Sequence, residues 1–213
     1  SHGGIHTGSD GSSAQSIEDL AIFRTLPGMT VVHPCDDLSA EELTVQLKDI
    51  QGPSYMRTAR NKTKRLYDSD SAGSLKIGSG SVLREGGDVA ILSCGVMVER
   101  SLEAAFDLSK EGIESTVIDM HTIKPLDAPL LDRVTKECGC LVTAEDHSVI
   151  GGLGSAVAEW LSLNRPIPLE MVGVTDRFGE SGDSDDLMRI LGLTSAEISD
   201  AAKRSIDRRN IIP

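Results

Sequence analysis

Apolar residues fall along this chain in two rhythms that alternate. Val89-Ala-Ile-Leu-Ser-Cys-Gly95, Ser115-Thr-Val-Ile-Asp-Met120, Cys140-Leu-Val-Thr-Ala-Glu-Asp-His147 and Leu169-Glu-Met-Val-Gly-Val-Thr-Asp176 are short, β-rich runs of strand length. Between them the spacing turns helical. Val98, Leu102, Ala105 and Phe106 form one stripe closed by Gly112, and further helices are predicted over about 128–137 and 154–163. Strands that are apolar on both faces and separated by helices imply a mostly parallel, right-handed α/β sheet. Two helices near 185–191 and 195–207 follow, the second opened by Thr194 or Ser195 in a half-matched capping box.

The first third repeats the rhythm in shorter pieces. Ile17, Leu20, Ala21, Phe23 and Arg24 follow Ser16 as N-cap, and Pro27-Gly28 ends that helix. A strand is predicted at Thr30 to His33, a helix from about Ser39 to Ile50 and a strand at Ser54 to Thr58. That last strand delivers Arg57, Arg60 and Lys62 to its carboxyl end, the edge where doubly wound sheets bind ligands; Arg57 and Lys62 are expected to be surface charges. Leu66 to Gly87 is rich in Ser, Gly and Asp and lacks a helical period, with a short strand expected near Leu75 to Ile77. The division expected is a first unit over 1–68, a connection over 69–87 and a second unit over 88–213 able to fold by itself.

Composition narrows the function classes. A formal net charge of −12 and 3% aromatic residues argue against nucleic acid, since the one basic cluster, Arg60 to Arg65, is short. No run approaches a membrane span and no leader opens the chain, so a cytoplasmic protein without membrane partners is expected. Cys35, Cys94, Cys138 and Cys140 lack zinc spacing and read as free, packed thiols.

Three motifs carry candidate chemistry. The opening Ser1-His-Gly-Gly-Ile-His-Thr-Gly-Ser-Asp-Gly11 mixes glycines, which permit close backbone approach to a ligand, with polar donors and acceptors; a binding loop and a flexible terminus both remain open. Gly151-Gly-Leu-Gly154 opens a helix, either as close helix–sheet packing or as an anion site, and packing is the better reading without full GxGxxG spacing. Glu145, Asp146 and His147 sit at a strand's carboxyl end, as catalytic groups or as a subunit contact, and the acidic run 176–186 reads as a solvated loop.

Taken together, SHGGIHTGSDG, EDLAIFRTLPGMTVVHP, YMRTARNKT, AEDHSVIGGLGSAVAE and GVTDRFGESG, which cover nearly the whole chain, resemble the C-terminal half of transketolase, most closely its split form. The resemblance implies a pyrimidine-binding domain entered partway through, followed by the transketolase C-terminal α/β domain. It also implies that two-carbon ketol transfer between sugar phosphates depends on thiamine diphosphate, with an N-terminal partner subunit and a homo- or heteromeric assembly. By the same resemblance His2 contacts donor and acceptor sugar, Asp10 reads a substrate hydroxyl and Arg60 grips phosphate, roles that suit an imidazole, a carboxylate and a guanidinium. Ala14 and Ser9 stand where longer transketolases have a histidine and a glutamate, which leaves the substrate open; His6 is a candidate to stand in for part of that pair. Gly8-Ser-Asp-Gly11 is not the Gly-Asp-Gly…Asn motif that holds Mg²⁺ and diphosphate, and the glutamate that activates the cofactor is absent, so both are expected on the missing upstream segment or the other subunit. The rival readings are a 1-deoxyxylulose 5-phosphate synthase, a 2-oxoacid dehydrogenase β subunit and a non-catalytic assembly subunit.

Overall fold

A computed structural model describes residues 1–211, and each β-rich run becomes a strand. β1 (Thr30–Val32) and β2 (Ser54–Met56) belong to the first third; β3 (Ser81–Arg84), β4 (Val89–Ser93), β5 (Ser115–Asp119), β6 (Thr122–Lys124), β7 (Leu141–Ser148) and β8 (Leu169–Val174) follow. Between them lie α1 (Asp19–Thr25), α2 (Asp37–Leu47), α3 (Ser69–Ala72), α4 (Met97–Lys110), α5 (Ala128–Cys138) and α6 (Leu153–Asn164), and α7 (Ser184–Ile190) and α8 (Ser195–Ile211) close the fold. The larger sheet has the order β3-β5-β4-β7-β8, with β5, β4, β7 and β8 parallel and β3 antiparallel at one edge. This is the mostly parallel α/β sheet that the strand and helix rhythm implied.

The two-sided burial of β4 follows from strand geometry. Val89 and Ile91 enter one apolar layer with Met97 and Leu108 of α4, Leu187 of α7 and Ile198 of α8. Ala90 and Leu92 enter the opposite layer with Leu131 of α5 and Leu153 and Val157 of α6, because successive side chains leave a strand on opposite faces. The second layer also takes in Val31 and Ile123, so the small sheet, ordered β2-β1-β6, packs against the large one. β6, a strand not expected from the sequence, pairs antiparallel with β1 and thereby stitches the second half of the chain into the first.

Several expectations need correction. No strand forms at 75–77, because the Gln46 side chain donates to the Leu75 carbonyl (2.7 Å) and accepts from the Ile77 amide (3.0 Å), taking the groups that a ladder would use. The strand of that stretch is β3 instead, inside the region expected to be a connection. On α4 the buried face is Met97, Val98, Ser101, Ala104, Ala105 and Leu108; Leu102 is only partly buried. Phe106 points outward, 60% exposed, with the Lys110 ammonium 4.2 Å over its ring. Ser16 does not cap α1, because the helix starts at Asp19 with Glu18 in the cap position; the Ser16 carbonyl accepts from the Gly4 amide at 2.7 Å instead. All four cysteines are buried free thiols, as their apolar neighbours suggested. Among the described residues no helix is long and apolar enough to cross a membrane.

Candidate functional site

The opening loop is closed at its base. Gly3 bridges to Ser16, the Ser16 amide donates to the His2 carbonyl (3.2 Å), and the Gly3 amide reaches Thr58 beyond β2 (3.2 Å). Between these ties Ile5–Asp10 winds as a 3₁₀ segment, with Ile5, Thr7 and Gly8 buried. The Asp146 carboxylate, at the carboxyl end of β7, holds its start by accepting from the Ile5 amide (2.7 Å) and the His6 amide (3.0 Å). Two of the glycines serve this packing. A Cβ on Gly3 would lie 2.5 Å from Arg57 Nε, and one on Gly4, whose φ is +80°, would lie 2.1 Å from Asp146 Oδ2. The segment is thus a built loop, and the flexible-terminus reading falls away.

His2, Asp10 and Arg60 converge. His2 Nε2 lies 3.6 Å and Arg60 Nε 3.2 Å from the same oxygen, Asp10 Oδ2, although Arg60 comes from the loop after β2. The three side chains are partly exposed, at 40%, 35% and 48%, so the cluster faces solvent. Only the Nε of Arg60 is committed to Asp10; among the described residues no hydrogen bond engages its two terminal amino groups, which form the fork that suits an oxyanion. Asn61, which sequence reasoning missed, donates its side-chain amide to the His6 carbonyl at 2.6 Å and fastens the arginine loop to the opening loop. The far end of the arginine loop is fixed by Asp36. Its Oδ1 caps α2 through Ser39, while Oδ2 accepts from the Leu66 amide (2.8 Å) and the Tyr67 amide (2.9 Å).

Behind this surface lies a buried polar cluster. Arg57 is not a surface charge: it is 1% exposed and donates to Asp19 Oδ2 (3.1 Å), the Ser16 carbonyl (2.6 Å) and the Asp146 carbonyl (2.8 Å). The physical reason is that Arg57 follows β2 directly and points into the layer between the sheets, where Asp19 of α1 awaits it. Asp19 Oδ2 also accepts from the Tyr55 hydroxyl at 2.6 Å, and the Tyr55 ring stacks on Phe23 at 3.9 Å. Glu145, Asp146 and His147 are buried as well and make contacts within the chain. Burial pushes the Glu145 carboxyl up to about 7 even though its two oxygens accept from the Leu153 and Gly154 amides, each at 2.8 Å. Burial lowers His147 to about 4, and it stays neutral with Nε2 accepting from the Ala21 amide (3.4 Å).

Those amides settle the Gly151–Gly154 motif. The N-terminus of α6 does meet an anion, but an internal one, and the glycines let the helix sit there: a Cβ on Gly152 would lie 2.0 Å from Glu145 Oε2, and one on Gly154 2.8 Å from Thr143 Oγ1. The acidic run 176–186 is partly a wall of the opening loop. Ser184 Oγ donates to the His6 carbonyl (2.9 Å), Ser181 Oγ to the Ser9 carbonyl (2.8 Å), and Gln15 reaches the Glu180 carbonyl (2.8 Å).

Two cavities flank the arginine loop. One of about 490 Å³ is lined by Cys35, Asp36, Asn61, Lys62, Thr63 and Arg65 among others, and His2, Asp10 and Arg60 are not in its lining. The second, about 340 Å³, includes the His6 ring with Lys62, Lys64 and Arg100. His6 lines this second cavity, whose lining does not include Asp10; burial lowers its pKa, and its Nδ1 has no partner. Among the described residues no group of three or more His, Cys, Asp or Glu side chains is placed to hold a metal ion, and Asp10 is engaged by Arg60 and His2.

Comparison with known proteins matches residues 1–65 to the transketolase pyrimidine-binding domain and residues 78–198 to the transketolase C-terminal domain. The chain belongs to the transketolase family. It is 44% identical over 207 residues to the "6-deoxy-6-sulfo-D-fructose transketolase subunit SqwH" of Clostridium sp. (strain MSTE9), covering 97% of this chain and 64% of that protein. It is 37% identical to a "Putative transketolase C-terminal section" of Methanocaldococcus jannaschii, covering 93% of this chain and 62% of the relative. A solved "Split gene transketolase, inactive beta4 tetramer" superposes with a TM-score of 0.90 at 42% identity, covering 95% of this chain and 66% of that one. The chain thus spans less than two thirds of the length of these relatives. The transketolase family is thiamine diphosphate dependent, and the α/β units of this chain are its pyrimidine-binding and C-terminal folds.

Proposed function

We propose that the chain is the substrate-facing part of a transketolase that moves a two-carbon ketol unit between sugar phosphates, together with an N-terminal subunit, in the cytoplasm. The observation that carries this reading is the convergence of His2, Asp10 and Arg60 from two separate segments on one solvent-facing spot, with the guanidinium fork of Arg60 left open. Arg60 pairs with the anionic end of the acceptor, Asp10 accepts from a sugar hydroxyl and so reads stereochemistry, and His2 donates to the sugar near the reacting end. Thiamine diphosphate supplies the carbanion chemistry when it is bound. Its diphosphate and Mg²⁺ would be held by the N-terminal subunit, since Gly8-Ser-Asp-Gly11 is not the Gly-Asp-Gly…Asn motif that such a grip uses. A sulfonate in place of the phosphate is the second reading, favoured by the name of the 44% identical relative; a guanidinium fork accepts either anion. The test is to mix the full-length subunit with its N-terminal partner, thiamine diphosphate and Mg²⁺ and to follow ketol transfer to a phosphorylated, a sulfonated and a neutral acceptor. Transfer that needs both subunits and favours an anionic acceptor is expected; no transfer to any acceptor would leave the assembly reading in its place.

A further inference from the structure

We propose that Asp146 is a positioning residue for substrate binding, acting from the C-terminal sheet on the opening loop through a relay of hydrogen bonds; the substrate part of this claim rests on the function proposed above. Asp146 lies at the carboxyl end of β7, buried, and 141 positions along the chain from the Ile5 amide it holds. Its two oxygens take one amide each, Oδ1 from Ile5 and Oδ2 from His6. The His6 peptide then passes the constraint on, since its carbonyl accepts from Asn61 Nδ2 at 2.6 Å and from Ser184 Oγ at 2.9 Å. Asn61 is the neighbour of Arg60, and the 3₁₀ segment that starts at Ile5 ends at Asp10. One buried carboxylate thereby fixes both partners of the Asp10–Arg60 pair, one through each branch of the relay.

Burial raises the Asp146 carboxyl above its ordinary range, and the surroundings supply the donors that an acceptor at this place needs. The Arg57 guanidinium donates to the Asp146 carbonyl, and its charge opposes the upward push that burial exerts on the Asp146 carboxyl. Gly4 leaves the room that the carboxylate fills, and no larger residue fits there. An acid that merely filled the core would not need a glycine at positive φ against it and two aligned amides.

Asp146→Asn tests the claim with little change of shape. Asparagine keeps one acceptor oxygen and turns an N–H₂ toward the other amide, so one branch of the relay is broken. In the isolated full-length subunit, hydrogen exchange at the Ile5 or His6 amide should accelerate about 100-fold, while exchange in β4 stays unchanged. In the assembled enzyme KM for the anionic acceptor should rise about tenfold with kcat within about twofold, the pattern of a weakened ground-state contact. Val134→Ala, on the buried face of α5 in the apolar layer that takes in no residue of the opening loop, controls for lowered stability and should leave KM unmoved. Asn61→Ala, an exposed site that does not threaten folding, should reproduce the KM rise from the other end of the relay. Unchanged amide exchange in Asp146→Asn would overturn the positioning role, whether or not the enzyme transfers ketol units. Faster exchange with an unmoved KM in both variants would overturn its link to substrate, and an equal KM rise in Val134→Ala would reduce it to stability.

Discussion

At the residue scale, the deepest electrostatic commitment is Arg57 with Asp19. Both are nearly inaccessible, and a buried pair stripped of one partner leaves a charge without compensation. Arg57→Leu should therefore lower unfolding free energy by about 3–5 kcal/mol in denaturant titration, and the double variant Arg57→Leu with Asp19→Leu should recover part of that loss. Recovery of nothing would mean that the pair does not act as a unit. His121 supplies a pH test. Burial holds its pKa down at about 4, against an ordinary 6.5, so between these values the unfolded chain binds the extra proton. The stability it contributes is full above pH 6.5 and is lost as pH falls toward 4. Asp119 and Glu145, both pushed up to about 7 by burial, act in the opposite direction over this range and His147, lowered to about 4, in the same one, so the wild-type profile mixes several groups. The difference between wild type and His121→Asn isolates one group: it should shrink by on the order of 1–3 kcal/mol from pH 6.5 to 4.5. A constant difference would place the histidine's proton elsewhere. At this scale the sequence was only half legible. Asp10 and Arg60 were recognisable because they stand in a motif, whereas Arg57, three residues before Arg60, carries the same charge and shows its burial only once Asp19 and Asp146 are brought around it. A charged triplet inside the apolar run ending at His147 was a usable signal, since buried charges need partners.

At the scale of elements, strand and helix rhythm was readable wherever an element buries a full face. β4, β5, β7 and β8 lie where the apolar runs placed them, and α5 and α6 start and end within a residue or so of the expected bounds. What escaped was decided by partners far away in the chain. β6 is three residues long and exists because β1 offers it an edge, and the 75–77 segment is straightened off its expected ladder by one glutamine. The contact of α6 with β7 yields a prediction of its own. Gly152→Ala would set a methyl 2.0 Å from Glu145 Oε2, forcing the helix N-terminus off its carboxylate. A loss of about 1–3 kcal/mol is expected in thermal or denaturant unfolding, the range for overpacking a tight site. A neutral substitution would show that the helix end has slack.

At the scale of the whole molecule, the two halves of the chain are sewn together by β6 in the small sheet, by Asp146 and Arg57 across the opening loop, and by Ser181 and Ser184 of the acidic run. β3, upstream of Asp88, forms the antiparallel edge of the large sheet against β5. We propose, accordingly, that the second unit is best cut at residue 78: fragment 78–213 should unfold cooperatively and more stably than 88–213, which bares the side of β5 that β3 covers. Equal stability would put the edge strand outside the cooperative unit. The central claim is that the surface joining these halves recognises the anionic end of a sugar. Its most direct test is the acceptor dependence of Arg60→Ala in the enzyme assembled from both subunits. In this variant kcat/KM should fall about tenfold or more for a phosphorylated or sulfonated acceptor and stay nearly unchanged for a neutral acceptor with the same carbon skeleton. An equal fall for charged and neutral acceptors would contradict it.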